Sequence, residues 1–332
     1  MHASTRLQAF IVAGLTSLTF GIPSPSYGGQ SGDAYPTRPI RFVIPFAPGG
    51  SSDTIARVIG PKLGEQLGQQ LVLDNRSGGN GAIGTQMIAH APPDGHTIGL
   101  AYIATMATNP AISGDVGYDP LKDFAAITQL TSSANVVAVH PSLKANSVKE
   151  LVAIAKTKPG QLNYASGGVG TIGHLSAELL QHVAGIKLNH IPYKGSGQAV
   201  IDLVGGQVPI MLGGMSAFVG HAKAGRVKLI AVTGKERMAI APEIPTIAES
   251  GYPGFDAVGW FGLIAPARTP HSLVRRLNAE AIKAANAPDV RDKLTAIGFD
   301  VVTSTPEAFQ RYIVAELAKW RKVAKDMGLK PG

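Results

Sequence analysis

Apolar and polar positions along this chain fall into repeating blocks. A short apolar run is followed by a glycine- or serine-rich break. A longer stretch then places apolar residues three and four apart. The clearest block is Arg41 to Val58, RFVIPFAPGGSSDTIARV. Phe42, Val43 and Ile44 predict a strand, and Pro45 to Gly50 can extend neither strand nor helix. Ser51, Ser52 and Asp53 precede a helical pattern with Ile55, Val58, Ile59, Leu63 and Leu67 on one face, so a serine-capped helix start is expected. Strand, Gly-Gly turn and helix start together gather unpaired backbone N–H groups at one point, which suits an anion. An ordinary capped βα turn has the same local signature.

The same pattern recurs downstream. Strands are predicted at Gln70–Leu73, Thr97–Tyr102, Ile127–Thr131, Asn135–Val139, Leu162–Ala165, Leu188–Pro192, Val208–Leu212, Leu229–Val232 and Trp260–Ala265. Helices are predicted at Ile83–His90, from Ser147 to Lys156, after Thr171, up to Val204, and at Ser272–Ala285, Asp289–Ala296 and Pro306–Lys325. Strand, glycine-rich loop and helix in alternation mean an α/β fold with largely parallel sheets. Ligands in open α/β sheets sit beyond the strand ends, where these glycines cluster.

Composition narrows the class. With 332 residues, 45% hydrophobic and 16% charged, the chain can bury one large or two medium cores. The net charge of +8 is spread without a basic run, so nucleic acid is not expected and anionic small molecules fit better. Cysteine is absent, which excludes disulfides, thiolate metal sites and cysteine nucleophiles. Met1–Arg6, the uncharged apolar Leu7–Phe20 and the Pro/Ser/Gly-rich Gly21–Gly28 have the three regions of a secretory signal peptide over residues 1–28. The window Leu203–Gly220 is uncharged but rich in glycine, and reads as strand plus loop and not as a membrane span.

Side-chain chemistry is sparse. Gly79–Gly84 and Gly168–Gly173 both match G-x-G-x-x-G, but the strand after the second ends in Tyr193-Lys194 where a dinucleotide fold needs an acid. No cofactor is expected. His174 and Glu178 sit i, i+4 without a third metal ligand and read as an exposed helical pair, so no metal is expected either. Ser166 before His174, or Ser51 and Ser52 beside Asp53, would make an incomplete triad, and capping explains them better. Lys194, in a glycine-flanked loop, is the cation best placed for an anion.

Long ordered segments carry a resemblance. PIRFVIPFAPGGSSDTIAR, LVLDNRSGGNGAIGT, YDPLKDFAAIT, the run from His140 to Leu180, IPYKGSGQAVIDLVGGQV, IPTIAESGYPGF and WFGLIAPARTP resemble the Bug family, the periplasmic receptors of tripartite tricarboxylate transporters. The similarity spans about Tyr35 to the C-terminus. It implies a type II periplasmic-binding-protein fold, with lobe 1 at 35–131 plus 255–332, lobe 2 at 132–254, and two crossover strands. It also implies a small carboxylate ligand: citrate-like acids, acidic amino acids, nicotinate or aromatic acids.

The implied site is built from loop backbone. One cradle is Phe46, Ala47, Gly49, Gly50, Ser51, Ser52, Asp53 and onward to Thr54. The facing one is Ser166, Gly167, Gly168, Gly170 and Thr171. Tyr193, Lys194, Gly195 and Thr105 support them. Asp53 is expected to serve its own helix and not the carboxylate. Gly213-Gly214-Met215 stands where relatives often carry Asp or Asn, which weakens an amino-acid ligand. The implied partners are the ligand and membrane permease subunits, with a monomeric, non-enzymatic receptor. A receptor reporting to a signalling partner and an exported hydrolase are the other readings of the same fold.

Overall fold

The computed structural model describes residues 35–193 and 195–328, and the segment 1–28 expected to be a signal peptide lies outside them. The first block becomes β1 (Ile40–Ile44), α1 (Ser51–Leu67), β2 (Leu71–Asn75), α2 (Ala82–Ala89) and β3 (Thr97–Tyr102). A π-type turn at Ala104–Thr108 then runs into α3 (Asn109–Ser113), a helical stretch that the sequence pattern did not announce. The middle of the chain forms β4 (Phe124–Val139), α4 (Val148–Thr157), β5 (Asn163–Ser166), α5 (Ile172–Ala184), β6 (Asn189–Pro192), α6 (Ser196–Val204), β7 (Ile210–Gly214), α7 (Val219–Lys223) and β8 (Lys228–Val232). The last part gives β9 (Val258–Pro266), α8 (His271–Asn286), α9 (Pro288–Ala296), β10 (Asp300–Val301) and α10 (Pro306–Met327).

The strands join in the order β2-β1-β3-β9-β4-β7-β5-β6, with β8 and β10 also pairing with β4. β1 runs parallel to β2 and β3, and β5 runs parallel to β6 and β7, as βαβ connections require. Every pairing of β4 and β9 is antiparallel. The sheet is therefore mixed, and the expectation of largely parallel strands holds only for its two flanks. The pattern that identifies a strand says nothing about which neighbour it will meet.

β4 is one strand of 16 residues, where two shorter ones were expected. Ser132 and Ser133 read as a break, yet they continue the ladder, pairing with Trp260 and Gly259. From Phe124 to Ala134 the strand pairs with β9, and from Asn135 to Val139 with β7 and β8. One strand thus belongs to two sheet portions. Alternation along β4 and β9 sends Ser133, Asn135, Gly259 and Phe261 to one face and Trp260 to the other. There Trp260 packs edge-on against Phe309 and Tyr312 of α10. The apolar window Leu203–Gly220 divides between the end of α6, β7 and a tight turn, and no described helix is long and apolar enough to cross a membrane.

Candidate ligand-binding site

The start of α1 differs from the expected serine cap. Gly50 is the N-cap, in extended backbone at φ −86°, ψ 177°, and no side chain caps the helix from that position. The third helical residue does the tying instead. Asp53 Oδ2 accepts the Gly49 N–H at 2.9 Å and the Arg57 Nε–H at 2.8 Å. Ser52 and Asp53 are buried, and Asp53 serves its own loop and helix, as expected. The first-turn N–H groups of Ser51, Ser52 and Asp53 have no partner within the helix and point out of its end.

The Arg57 guanidinium, helped by the Gly49 N–H and by Asn75, holds the Asp53 carboxyl below its usual range against the opposing effect of burial. A carboxyl with a lowered folded pKa adds stability above its unfolded value of about 3.9, and that stability is lost as pH falls through the folded value. Wild-type protein is therefore expected to weaken towards chemical denaturant below about pH 4. Asp53→Asn should flatten that part of the profile in urea titrations at successive pH values. An unchanged profile would remove Asp53 as a contributor.

Two further helix starts face α1 from the other sheet portion. Thr171 caps α5, its hydroxyl accepting the His174 N–H at 3.4 Å. Gly173 lets α5 lie directly on β7, because a side chain there would overlap the Leu212 carbonyl. Gly195 is the N-cap of α6, and its N–H donates to the Gly167 carbonyl at 3.0 Å, locking the α5 and α6 entry loops together. The three helix starts open on one cavity of about 590 Å³. Gly49, Gly50, Ser51 and Thr54 line one side, and Gly167, Thr171, Ile172, Gly173, Gly195 and Ser196 line the other. Each helix end carries a partial positive charge of roughly half a unit.

Seven of the sequence-predicted residues thus reach the cavity: Gly49, Gly50, Ser51, Thr54, Gly167, Thr171 and Gly195. The other described ones stand behind its walls. Phe46 packs edge-on against Tyr102 with ring centroids 5.6 Å apart. Thr105 is fully buried, its hydroxyl on the Tyr102 carbonyl at 3.1 Å. Ser166 is fully buried beneath the facing loop, and Gly168 N–H donates to its Oγ at 3.2 Å. Tyr193 donates its hydroxyl to Asp202 at 2.6 Å, which fixes the entry to α6. Ala47 and Gly170 belong to the two loops without lining the cavity. Lys194 lies outside the described residues.

Of the floor and one wall, only Gly213-Gly214-Met215 was singled out in the sequence. Ser133 and Asn135 of β4, Leu212 to Ser216, and Gly259 and Phe261 of β9 form the floor. Tyr102, Phe261 and Phe299 supply an aromatic wall, with Tyr102 stacked on Phe261 at 4.5 Å. Tyr102 is the one ionisable side chain among the described lining residues. Burial pushes its phenol up to about 12, so it stays neutral as a hydrogen-bond donor. The cavity therefore offers backbone N–H groups, hydroxyls and one amide for an anion, and aromatic surface for an apolar body.

The reading of His174 and Glu178 as an exposed pair is corrected. His174 is buried, and Glu178 Oε1 accepts the Tyr164 hydroxyl at 2.5 Å. Nor do Ser166 and His190, 2.8 Å apart, resemble a nucleophile and base, since that hydroxyl faces the loop interior and does not line the cavity.

The model of the tripartite tricarboxylate transporter family receptor, TctC, matches residues 55–329. Protein BugT of Bordetella pertussis is 36% identical over 327 residues, covering 98% of both chains. The solved structure of Rpa4515 of R. palustris with adipate aligns with a TM-score of 0.77 at 36% identity, covering 90% of this chain and 100% of that one. MatC from Rhodopseudomonas palustris with bound malate aligns with a TM-score of 0.73 at 32% identity, covering 87% and 99%. The fold is that of a periplasmic solute-binding protein. The chain belongs to the tripartite tricarboxylate transporter receptor family, and it is a solute-binding receptor of that type.

Proposed function

We propose that this receptor is exported to the periplasm with residues 1–28 removed, and that it captures a small organic carboxylate for the membrane permease subunits of its transporter. It does so as a monomer and without catalysis. The observation that carries this reading is the meeting of three helix N-termini from both sheet portions at one cavity. Lobe 1 comprises 35–131 plus 255–332 and lobe 2 comprises 132–254. They close on the ligand by bending where β4 changes partners, between Ala134 and Asn135.

Magnitudes favour backbone capture with closure. Micromolar affinity requires about 8 kcal/mol. An exposed helix end contributes ~0.3–1 kcal/mol and a partly buried one up to ~2. Three ends therefore fall short. Hydrogen bonds to the charged carboxylate, ~1.5–3 kcal/mol each, and exclusion of water supply the remainder.

The lining also shapes the ligand. An ammonium group would find no carboxylate among the described lining residues, since Gly213 and Gly214 end β7 and Met215 follows them. The ligand is thus a di- or tricarboxylate or an aromatic acid without an ammonium group, of which adipate, as held by the R. palustris relative, is a suitable probe. In a thermal-shift panel, adipate, other dicarboxylates and aromatic acids should raise the melting temperature, because a ligand that binds only the folded state stabilises it. Amino acids and neutral sugars should not. A shift with sugars and none with any carboxylate would overturn the reading.

A further inference from the structure

Behind the Gly167–Thr171 loop lies a group of buried and half-buried side chains that ligand capture does not itself use. His174 of α5 stacks on His190 of β6 with ring centroids 4.3 Å apart, and His190 stacks on Tyr164 of β5 at 4.7 Å. The Gly170 N–H donates to His174 Nδ1 at 3.2 Å. That nitrogen must carry a lone pair, so the ring proton sits on Nε2, 4.0 Å from Glu178 Oε1.

His190 touches the same loop. Its Nε2 lies 2.8 Å from Ser166 Oγ. The Ser166 hydroxyl also donates towards the Gly168 carbonyl at 3.1 Å, which takes the Thr171 hydroxyl at 2.8 Å as well. The Ser166 hydroxyl and His190 Nε2 share one hydrogen bond whose direction follows the His190 tautomer. Each imidazole holds one group of the loop: His174 the Gly170 N–H, through a lone pair, and His190 the Ser166 hydroxyl.

We propose that His174, backed by His190, is a positioning residue for the carboxylate-binding loop: its neutral ring shapes Gly167–Thr171 through Gly170, and uptake of a proton turns that acceptor into a donor and unseats the loop. The affinity part of this proposal rests on the carboxylate-binding reading above. The surroundings favour the neutral rings. Burial pushes both imidazoles down to about 4; for His190 the neighbouring His174 adds to this and Glu178 opposes it. Glu178, the nearest carboxylate, is already occupied by Tyr164 and by Gln181 Nε2 at 2.8 Å. β4, β7 and β9, which pack against α5, carry no ionisable residue. On α10, Glu316 is held by two indoles and Lys319, while Asp326 pairs with His182 at 3.8 Å.

Ring and amide NMR on ligand-free protein tests the support directly. At pH 7 the long-range proton–nitrogen spectrum should show His174 protonated at Nε2. On acidification the Gly170 amide should move with the same midpoint as the His174 ring. His174→Asn keeps an acceptor near the Nδ1 position but cannot titrate. It should bind adipate within about threefold of wild type at pH 7 and lose the acid response of Gly170, whereas His174→Leu should weaken binding about tenfold, the scale of one lost hydrogen bond. The opposite tautomer at His174, a Gly170 amide that ignores the ring, or a His174→Leu variant with wild-type affinity would each overturn the proposal. If wild-type protein shows no response to any carboxylate, the binding reading fails, and the loop support is then judged on the ring and Gly170 signals alone.

Discussion

Gly50→Val is expected to abolish carboxylate binding while the protein stays folded. The backbone at Gly50 is extended, a conformation open to any residue, so valine brings no strain there. A Cβ at this position would touch only the Ala47 carbonyl, at 3.9 Å. Beyond it lies the cavity that Gly50 lines. The isopropyl group therefore fills space meant for the ligand and shields the N-terminus of α1 from it. Losing one helix end and its hydrogen bonds costs about 3 kcal/mol or more, which is a hundredfold or greater fall in affinity. Calorimetric titration with the best acid of the thermal-shift panel, beside a melting curve without ligand, reads both halves of the expectation. Affinity within threefold of wild type would remove Gly50 from the site. Gly173→Val makes the contrast, since its side chain overlaps the Leu212 carbonyl and should cost the fold itself.

The first block of the sequence predicted its own elements well, because periodicity and turn residues act locally. β1 and α1 stand within a residue or two of where the apolar pattern placed them. The capping of α1 was read less well. Three polar residues follow Gly50, and serine is the commoner cap, but here Asp53 reaches back to Gly49. β4 was split in two because Ser132 and Ser133 look like a break, whereas in the fold Ser133 donates its hydroxyl to the Gly298 carbonyl at 2.9 Å. That partner lies 165 positions away, and no local pattern announces it.

The site shows the same division. The glycines at helix starts were legible, since a Gly-rich break before an amphipathic run has a physical meaning by itself. The aromatic wall was not. Tyr102 ends β3, Phe261 lies in β9 and Phe299 follows α9, so only the sheet order brings them together. A weak signal did exist at Ser133 and Asn135, polar residues two apart within an apolar strand. Period-two alternation sends both to one face, and that face proves to be the cavity floor.

Glu316→Ala should be the most damaging single change away from the cavity. Glu316 is 4% exposed, and its Oε2 accepts the indole N–H of Trp260 at 3.1 Å and of Trp320 at 3.2 Å. Lys319 pairs with the other oxygen. One carboxylate thus fastens β9 to α10 from within the core. Alanine leaves two buried indole N–H groups without their acceptor, at about 1–3 kcal/mol each, together with a small void. A loss of about 3–5 kcal/mol is expected in urea unfolding, with the slope unchanged. Glu316→Gln keeps an oxygen for the indoles and should lose less. A loss below about 1 kcal/mol for alanine would show that water or another group replaces the acceptor. The effect should also reach the ligand. Trp260 alternates with Gly259 and Phe261, which face the cavity from the same strand, so a loosened Trp260 lets the floor shift. Affinity of the folded Glu316→Ala protein should therefore fall as well, and by less than in Gly50→Val, because the helix ends that face the anion remain in place.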